Sequence, residues 1–110
     1  MEGVRRGAII TIAAPGPYGK PRPALVIQSD LFDQHPSVTV CLITSEIRDV
    51  PLFRVTVQPS PDNGLRKTSQ VMVDKIVTLP RERIGSSIGM LEPETLVQVT
   101  RLLALWLGMA

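Results

Sequence analysis

The sequence predicts a mainly β protein with one C-terminal helix, folded as a small SH3-like β-barrel. Five to seven short segments are apolar or alternate in polarity, and turn residues separate them. Only the last stretch of the chain shows sustained helical periodicity. The length of 110 residues favours a single domain over residues 1–110, large enough to bury a core but too small for two.

The first three strands are predicted from short apolar runs rich in β-branched residues. They are expected at residues 7–13, 24–29 and 38–43. A stretch dense in proline and glycine precedes the second strand and predicts a constrained loop. The connection at residues 30–36 has room for one helical turn, and it carries His35, which we expect at the surface.

The later strands are predicted from alternation and from turn chemistry. Residues 53–57 alternate strictly, as expected of a strand with one face on the core. Asn63-Gly64 closes a turn-rich stretch and favours a positive φ angle. Three more short segments are expected, with Asp74-Lys75 separating the first from the second: residues 69–73, residues 76–79 and the end of residues 83–91.

One helix is predicted, at residues 93–107, where Pro93 suits the first turn and Gly108 ends the helical periodicity. Its apolar residues extend around most of the circumference: Leu96, Val99, Leu102, Leu103, Leu105, Trp106 and Leu107. Such a helix needs both the barrel and a second subunit to cover it. A homodimer is therefore expected, and a charge at Leu103 or Leu107 should give a monomer.

Composition narrows the class of partners. The net charge is +2 with a pI near 9.1, so a nucleic-acid partner is plausible only if the positive charge is concentrated on one face. One cysteine, Cys41, and one histidine cannot supply a disulfide or a closed metal site. We therefore expect no cofactor or metal, a reducing cytoplasm and, because the longest apolar runs are short, no membrane span.

The most informative local feature is Arg22 between Pro21 and Pro23, followed by the apolar run of residues 24–27. The prolines restrict the backbone and favour an extended conformation at the arginine. The guanidinium is thus held where a loop meets a buried strand, and its planar fork suits a phosphate. A solvated arginine at a strand start is the alternative interpretation.

Several stretches together resemble the MazF/PemK family of toxin endoribonucleases, which has the CcdB/MazF-type toxin fold. The resemblance extends from about residue 3 to residue 108, and its pairing of Arg-Pro with a later Thr-Ser is moderately specific. It rests on the following stretches: Gly7-Ala8-Ile9-Ile10, Arg22-Pro23-Ala24-Leu25-Val26-Ile27, Ile43-Thr44-Ser45, Val71-Met72-Val73-Asp74-Lys75-Ile76-Val77-Thr78 and Ile88-Gly89-Met90-Leu91.

The resemblance implies a homodimeric toxin of a type II toxin–antitoxin pair. Such a toxin cuts single-stranded messenger RNA without a metal and is neutralised by a cognate antitoxin. It also implies that Arg22 and Thr44 carry the catalysis. Cleavage without a metal requires attack by the RNA 2′-hydroxyl on its own phosphorus, which leaves a 2′,3′-cyclic phosphate and a 5′-hydroxyl.

The remaining site residues are less specific. Asp74 is a candidate base or substrate orienter, because the PemK branch has an acid at this position; the alternative is a turn aspartate paired with its neighbour. Tyr18 is placed to stack on a base. Loop cations are candidates for holding the RNA backbone, although each alone is more often a solvated charge: Lys20, Arg48, Arg66, Lys67 and Lys75.

The sequence also departs from the family pattern. Ala8 replaces a common acidic residue, the loop before Arg22 offers only Tyr18 and Lys20 instead of a His or Glu, and Met72 replaces a second arginine. Lys20, Tyr18 or a water are the alternative proton-transfer groups.

Two other functions fit a fold of this type. A CcdB-like toxin inhibits DNA gyrase by protein contact, and Trp106 near the C-terminus keeps that alternative open. A catalytically silent SH3-like module that binds nucleic acid is the other.

Overall fold

The structure is a computed structural model that describes residues 4–13 and 20–110. Six strands are followed by one helix: β1 (Ala8–Ile12), β2 (Arg22–Val26), β3 (Ser37–Thr44), β4 (Arg54–Val57), β5 (Ser69–Pro80), β6 (Ile84–Met90) and α1 (Pro93–Trp106). Short 3-10 turns at Asp30–Phe32 and Arg81–Arg83 connect β2 to β3 and β5 to β6. The strands form one antiparallel sheet in the order β4-β5-β3-β2-β1-β6.

Both faces of this sheet are buried, which is why its central strands are apolar almost throughout. Ile9, Leu25 and Cys41 lie on the face that packs against Val99 and Leu103 of α1. The residues beside them in sequence point to the opposite face, because side chains alternate along a strand. That face forms a second core from Ala8, Ile10, Ile12, Ala24, Val26, Val38 and Val40.

The strand β5 belongs to both cores because it bends. Val71 and Val73 lie in the core under the helix, whereas Val77 and Leu79 pack against the second core. The register against β3 shifts between these two halves, which exchanges the buried face. The sequence predicted two separate segments here. That prediction was wrong about the chain, which continues as one strand, but right about the position of the break.

The predicted mainly β class with a C-terminal helix is confirmed. The prediction of a closed barrel was wrong, because the sheet is open. Within the described residues the outer strands β4 and β6 do not pair with each other. The loop between β4 and β5, residues 58–68, crosses the gap instead and is called the crossing loop below. Its Asp62 carbonyl accepts a hydrogen bond of 2.8 Å from the Met90 amide of β6. The bent sheet is therefore bridged by a loop at this point, and that loop also forms one wall of the site described below.

The helix begins and ends as its sequence predicts. Pro93 occupies its first turn, where a missing N–H costs nothing. At the other end Gly108 has a φ angle of 73°, and the amides of Gly108 and Met109 donate to the carbonyls of Leu105 and Ala104. This pair of bonds is the Schellman arrangement that terminates a helix. No helix in the described part of the chain is long and apolar enough to cross a membrane.

Strand β2 begins earlier than the sequence predicted. Residues 24–29 were expected, but the strand runs from Arg22 to Val26. Proline 23 is accommodated because it lies near the start of the strand. Arg22 is therefore part of the sheet and not of the loop before it.

Gly64 and Gly108 provide a matched test of how the crossing loop is packed. Both have positive φ, 70° and 73°, so alanine pays a similar backbone cost of about 1 kcal/mol at each. A Cβ at Gly64 would lie 2.0 Å from the Ile88 carbonyl oxygen, whereas one at Gly108 meets nothing within 4 Å. We expect Gly64→Ala to lower the free energy of unfolding by about 2 kcal/mol more than Gly108→Ala in urea titrations. Equal losses would contradict this packing.

Candidate active site

The pairing of β2 with β3 brings Arg22 and Thr44 together. In this antiparallel pair, Ala24 lies opposite Leu42, and Leu25 lies opposite Cys41. Arg22 is the first residue of β2 and Thr44 is the last residue of β3, two positions beyond the pair of Ala24 with Leu42. Continuing the register by two residues therefore sets them opposite each other, on one face of the sheet.

Both residues line a cavity of about 660 Å³ at this end of the sheet. Its walls come from the start of β2, the end of β3, residues 64–67 of the crossing loop, and single residues of β1, β5 and β6. Hydroxyl groups are contributed by Thr11, Thr44, Ser45 and Ser69. Its volume lies within the range that proteins use for small-molecule and cofactor sites.

The cavity is strongly cationic. Four of its lining residues are basic, namely Lys20, Arg22, Arg66 and Lys67, and none of the described lining residues is Asp or Glu. In the described part of the chain, ion pairs form only between Arg5 and Asp30 and between Arg48 and Glu46. Four of the chain's 12 basic residues thus surround one cavity, a local concentration of positive charge that suits an anionic partner.

The Thr44 hydroxyl is oriented by its own chain. Its oxygen accepts a hydrogen bond of 3.0 Å from the amide of Glu46. Because that contact uses the oxygen as an acceptor, the hydroxyl proton stays available to donate to a ligand. Thr44 is half-buried and Arg22 is exposed, so both groups are accessible from the cavity.

The crossing-loop wall is held by the buried carboxamide of Asn63, which is 0% exposed. Its oxygen accepts from the amides of Ser60 and Leu65 at 3.1 and 3.0 Å. Its nitrogen donates to the Gln58 carbonyl at 2.9 Å and to a Glu92 carboxylate oxygen at 3.0 Å. These bonds use the full capacity of the carboxamide, and they fix the backbone immediately before Arg66 and Lys67.

Glu92 completes this loop support from the start of α1. Its second carboxylate oxygen accepts a 2.6 Å hydrogen bond from the Ser60 hydroxyl. The hydrogen bonds from Ser60 and Asn63 hold the pKa of Glu92 below its ordinary value of 4.5. The charged form is therefore the one that stabilises the loop.

Three of the other predicted site residues lie outside the cavity wall. Arg48 is exposed and pairs with Glu46 at 2.9 Å, and the hydrogen bond and charge of Glu46 raise its pKa. Lys75 is exposed at the bend of β5. Asp74, beside it, is half-buried, with one carboxylate oxygen buried and without a hydrogen-bond partner in the described structure. Tyr18 falls outside the described residues.

Some contributors could not be recognised from the sequence. Thr11 lines the cavity, and its hydroxyl oxygen accepts from the Ser86 amide at 3.0 Å. Ser69 donates to the Lys67 carbonyl at 2.8 Å and so supports a cationic loop from β5. Neither residue stands in a motif: the Thr11 contact joins segments 75 residues apart, and the Ser69 contact is a local turn bond that any serine could make.

The described residues contain one thiol, that of Cys41, which is buried and lies outside the cavity wall. Burial raises the pKa of the Cys41 thiol to about 12, with the Asp74 charge also raising it and Arg6 opposing, so no reactive thiolate is available. Among the described residues, no group of three or more His, Cys, Asp or Glu is placed to hold a metal ion.

Two solved structures illustrate what this fold is similar to. The chain is similar to an endoribonuclease from a mycobacterial species solved in complex with its cognate antitoxin, at 27% identity and a TM-score of 0.81, over 97% of each chain. It is also similar to the Mycobacterium tuberculosis toxin MazF-mt6, at 26% identity and a TM-score of 0.77, over 93% of this chain and 98% of that one. The fold and the cationic cavity thus define the class of small β toxins.

Sequence comparison gives the family. The model for PemK-like and MazF-like toxins of type II toxin–antitoxin systems matches residues 5–107. The probable endoribonuclease MazF of Mycolicibacterium smegmatis is 44% identical over 108 residues, which cover 97% of this chain and 99% of the relative. This chain belongs to the PemK/MazF toxin family. The predicted family is confirmed, and it favours the nuclease over the CcdB-type gyrase inhibitor.

Glu92 should give the fold a pH dependence of known sign. Its folded pKa is lowered from 4.5, so its contribution is complete above the unfolded value and is lost as pH falls through the folded value. We expect the unfolding free energy of the native protein to fall more steeply below about pH 5 than that of Glu92→Gln. Urea titrations at several pH values measure this. Parallel pH profiles would contradict the role of the carboxylate.

Proposed function

We propose that the cationic cavity is the active site of an endoribonuclease that cleaves single-stranded messenger RNA, with Arg22 and Thr44 as its catalytic residues. The observation that carries the proposal is that a guanidinium and a hydroxyl donor line the same cavity, whose described lining residues include no Asp or Glu. Both donate hydrogen bonds, and both are accessible to a phosphodiester. The family assignment supports the same conclusion.

The proposed reaction is an internal transesterification. The RNA 2′-oxygen forms a bond to the adjacent phosphorus and loses its proton to a base. The bond from phosphorus to the 5′-oxygen breaks, and that oxygen takes up a proton to leave as a hydroxyl. The products are a 2′,3′-cyclic phosphate and a 5′-hydroxyl, and the reaction proceeds in EDTA.

Arg22 and Thr44 contribute by stabilising charge. Negative charge accumulates on the non-bridging phosphoryl oxygens as the 2′-oxygen attacks. A guanidinium and a hydroxyl that already point to those oxygens bind the transition state more tightly than the ground state. Arg22 remains protonated throughout and therefore acts as a donor and not as the base.

Several groups are candidates for transferring the protons in this reaction. Asp74 remains a predicted base or substrate orienter, although it is half-buried at the β5 bend and is not part of the cavity wall. Lys20 lines the cavity beside Arg22, and a water or Tyr18 are the remaining candidates. Loss of the acidic limb of the pH–rate profile in Asp74→Asn or in Lys20→Met identifies the base, because that limb reports protonation of the group that must accept the proton.

The other cations serve to hold the RNA backbone. Lys20, Arg66 and Lys67 share the cavity with the catalytic pair and would contact the phosphates beside the cut. Arg48 and Lys75 are exposed and lie outside the cavity, and they would contact phosphates farther along the RNA. Tyr18 is proposed to stack on a base.

An antitoxin is the proposed second partner. Acidic side chains would occupy the same four cations that bind RNA, so inhibition follows from competition for one surface. The mycobacterial endoribonuclease of similar fold is solved with a cognate antitoxin. We propose that both partners are met in the cytoplasm, where messenger RNA is available.

A homodimer is proposed from the outer face of α1. Leu105, Trp106 and Leu107 are 53%, 53% and 57% exposed, and such an apolar patch marks a protein contact. The sequence also predicted Leu103 at this contact, and that was wrong. Leu103 is only 7% exposed and belongs to the core of its own subunit.

Removing either catalytic donor should abolish most cleavage while preserving the fold. We expect Arg22→Ala and Thr44→Val each to lower kcat by about a hundredfold to a thousandfold, as for loss of one preorganised donor. The assay measures cyclic-phosphate ends formed from an in vitro transcribed messenger RNA in EDTA.

Arg5→Ala is the matched control, because Arg5 is exposed and contacts Asp30 away from the cavity. It should cleave at the native rate. Native cleavage by Arg22→Ala, with an unchanged melting temperature, would remove the guanidinium from the mechanism.

A charge on the outer face of α1 should separate the subunits. We expect Leu105→Glu to sediment as a monomer at concentrations where the native protein is dimeric, because it buries an unpaired charge in the contact. Glu94→Gln, a change on the first turn of the same helix, is the control and should stay dimeric. A native protein that is itself monomeric in sedimentation velocity would refute the proposed contact.

A further inference from the structure

A second buried carboxamide lies next to Thr44 in the sheet. Gln70 of β5 is directly opposite Thr44 of β3, and Thr56 of β4 is opposite Gln70 on its other side. Directly opposed residues project from the same face of a sheet. Gln70 is only 4% exposed, so each of its polar atoms needs a partner within the protein.

All four hydrogen-bonding positions of this carboxamide are used. The oxygen accepts from the Arg48 amide and from an Arg54 guanidinium nitrogen, both at 3.0 Å. The nitrogen donates to the Arg48 carbonyl at 2.9 Å and to the Thr56 hydroxyl at 3.1 Å. Two N–H groups face the carboxamide oxygen and two oxygen atoms face its nitrogen, so exchanging the oxygen and the nitrogen would break all four bonds.

Towards Arg48, the side chain imitates a neighbouring strand. In an antiparallel sheet a residue exchanges both its N–H and its C=O with one partner. Gln70 does this through its side chain, with the N–H and C=O of Arg48. The chain after β3 is therefore clamped to the sheet although it has left the regular ladder.

Arg54 holds the same segment at a second point. The guanidinium nitrogen that bonds Gln70 also donates to the Glu46 carbonyl at 2.9 Å. The Glu46 amide, on the other side of that residue, donates to the Thr44 hydroxyl oxygen. A continuous path of hydrogen bonds thus connects Gln70 through Arg54 and Glu46 to the proposed catalytic hydroxyl.

We propose that Gln70 is a positioning residue for RNA cleavage: with Arg54 it fixes residues 46–48, and through the Glu46 amide it sets the direction of the Thr44 hydroxyl. This inference rests on the proposed function of the cavity. Gln70 does not line the cavity, so any effect on the chemical step passes through Thr44, whereas its hold on the Arg48 backbone affects at most one exposed RNA contact outside the cavity. Its loss should therefore affect the chemical step more than RNA binding, because misplacement of a catalytic group by about 1 Å reduces rates about a hundredfold.

The main test replaces Gln70 by Leu and measures single-site cleavage. After the cut is mapped on a transcript, a short RNA spanning it serves as substrate. We expect kcat to fall about ten- to hundredfold, with KM within about threefold of the native value. Binding of the same RNA with a 2′-deoxy group at the cut should be almost unchanged.

The chain offers a matched control in Gln28. Its carboxamide also holds a loop, donating to the Phe32 and Ser37 carbonyls and accepting from the Thr39 amide. This loop connects β2 to β3 at the end opposite to the pairing of Arg22 with Thr44. Gln28→Leu should lower the melting temperature in the same way as Gln70→Leu but leave kcat near the native value.

A double-mutant cycle separates positioning from general destabilisation. If Gln70 acts through the Thr44 hydroxyl, Gln70→Leu should cost less than about twofold once Thr44→Val has removed that hydroxyl. Two independent effects would multiply instead, and a multiplied loss would overturn the proposal.

A second variant keeps the test valid if Gln70→Leu does not fold. Gln70→Glu retains the acceptor for Arg48 and Arg54 but sets an oxygen against the Arg48 carbonyl, so kcat should fall while the fold is kept. Native kcat in Gln70→Glu refutes the clamp. A native protein that fails to cut any RNA refutes the proposed function itself, which is a different outcome from a native protein that cuts and does not need Gln70.

Discussion

The antiparallel pairing of β2 with β3 is the constraint on which the site depends. Leu25 and Cys41, which are opposite each other, are both completely buried, so this register is enforced by the core. A slip by one residue would turn these side chains to the other face of the sheet and exchange the two cores. The same register, continued to the strand ends, sets Arg22 opposite Thr44. The geometry of the proposed catalytic pair is thus set by hydrophobic burial three residues away along each strand.

The strands alone do not complete the cavity. The crossing loop and the segment after Thr44 lie beside it, and neither is hydrogen-bonded as part of the sheet. Each is held by one buried carboxamide with all its hydrogen bonds made, Asn63 for the crossing loop and Gln70 for the segment after Thr44. A carboxamide suits this task because it offers donors and acceptors together and carries no charge to desolvate. Preorganised loops are what electrostatic stabilisation of a transition state requires.

The sequence was sufficient for features that depend on local chemistry. The limits of α1 follow from Pro93 and Gly108, and Asn63-Gly64 predicted the positive φ that the structure has at Gly64. The Arg-Pro and Thr-Ser motifs singled out Arg22 and Thr44, and both residues line the same cavity, while their catalytic role stays a prediction. The family assignment, which rested on those motifs, is confirmed.

Features that depend on distant contacts could not be predicted. Asn63 was recognised only as a turn residue, and Gln70 only as part of a strand, because each also bonds a residue far away in sequence, Glu92 at 29 residues and Arg48 at 22. The bend in β5 was interpreted as a break for a similar reason. Asp74-Lys75 looks like a turn locally, yet pairing with β3 on both sides of the bend carries the strand through.

The concentration of charge has a consequence for how the two proposed partners relate. Four cations surround one cavity with no carboxylate among the described lining residues, so these cations repel one another. Any polyanion that enters relieves this repulsion, and both RNA and an acidic antitoxin segment would do so. Because the same charges would supply the attraction in both cases, the two proposed ligands would compete for one site. Inhibition then needs no conformational change, since occupancy of the cations by one partner removes the binding energy available to the other.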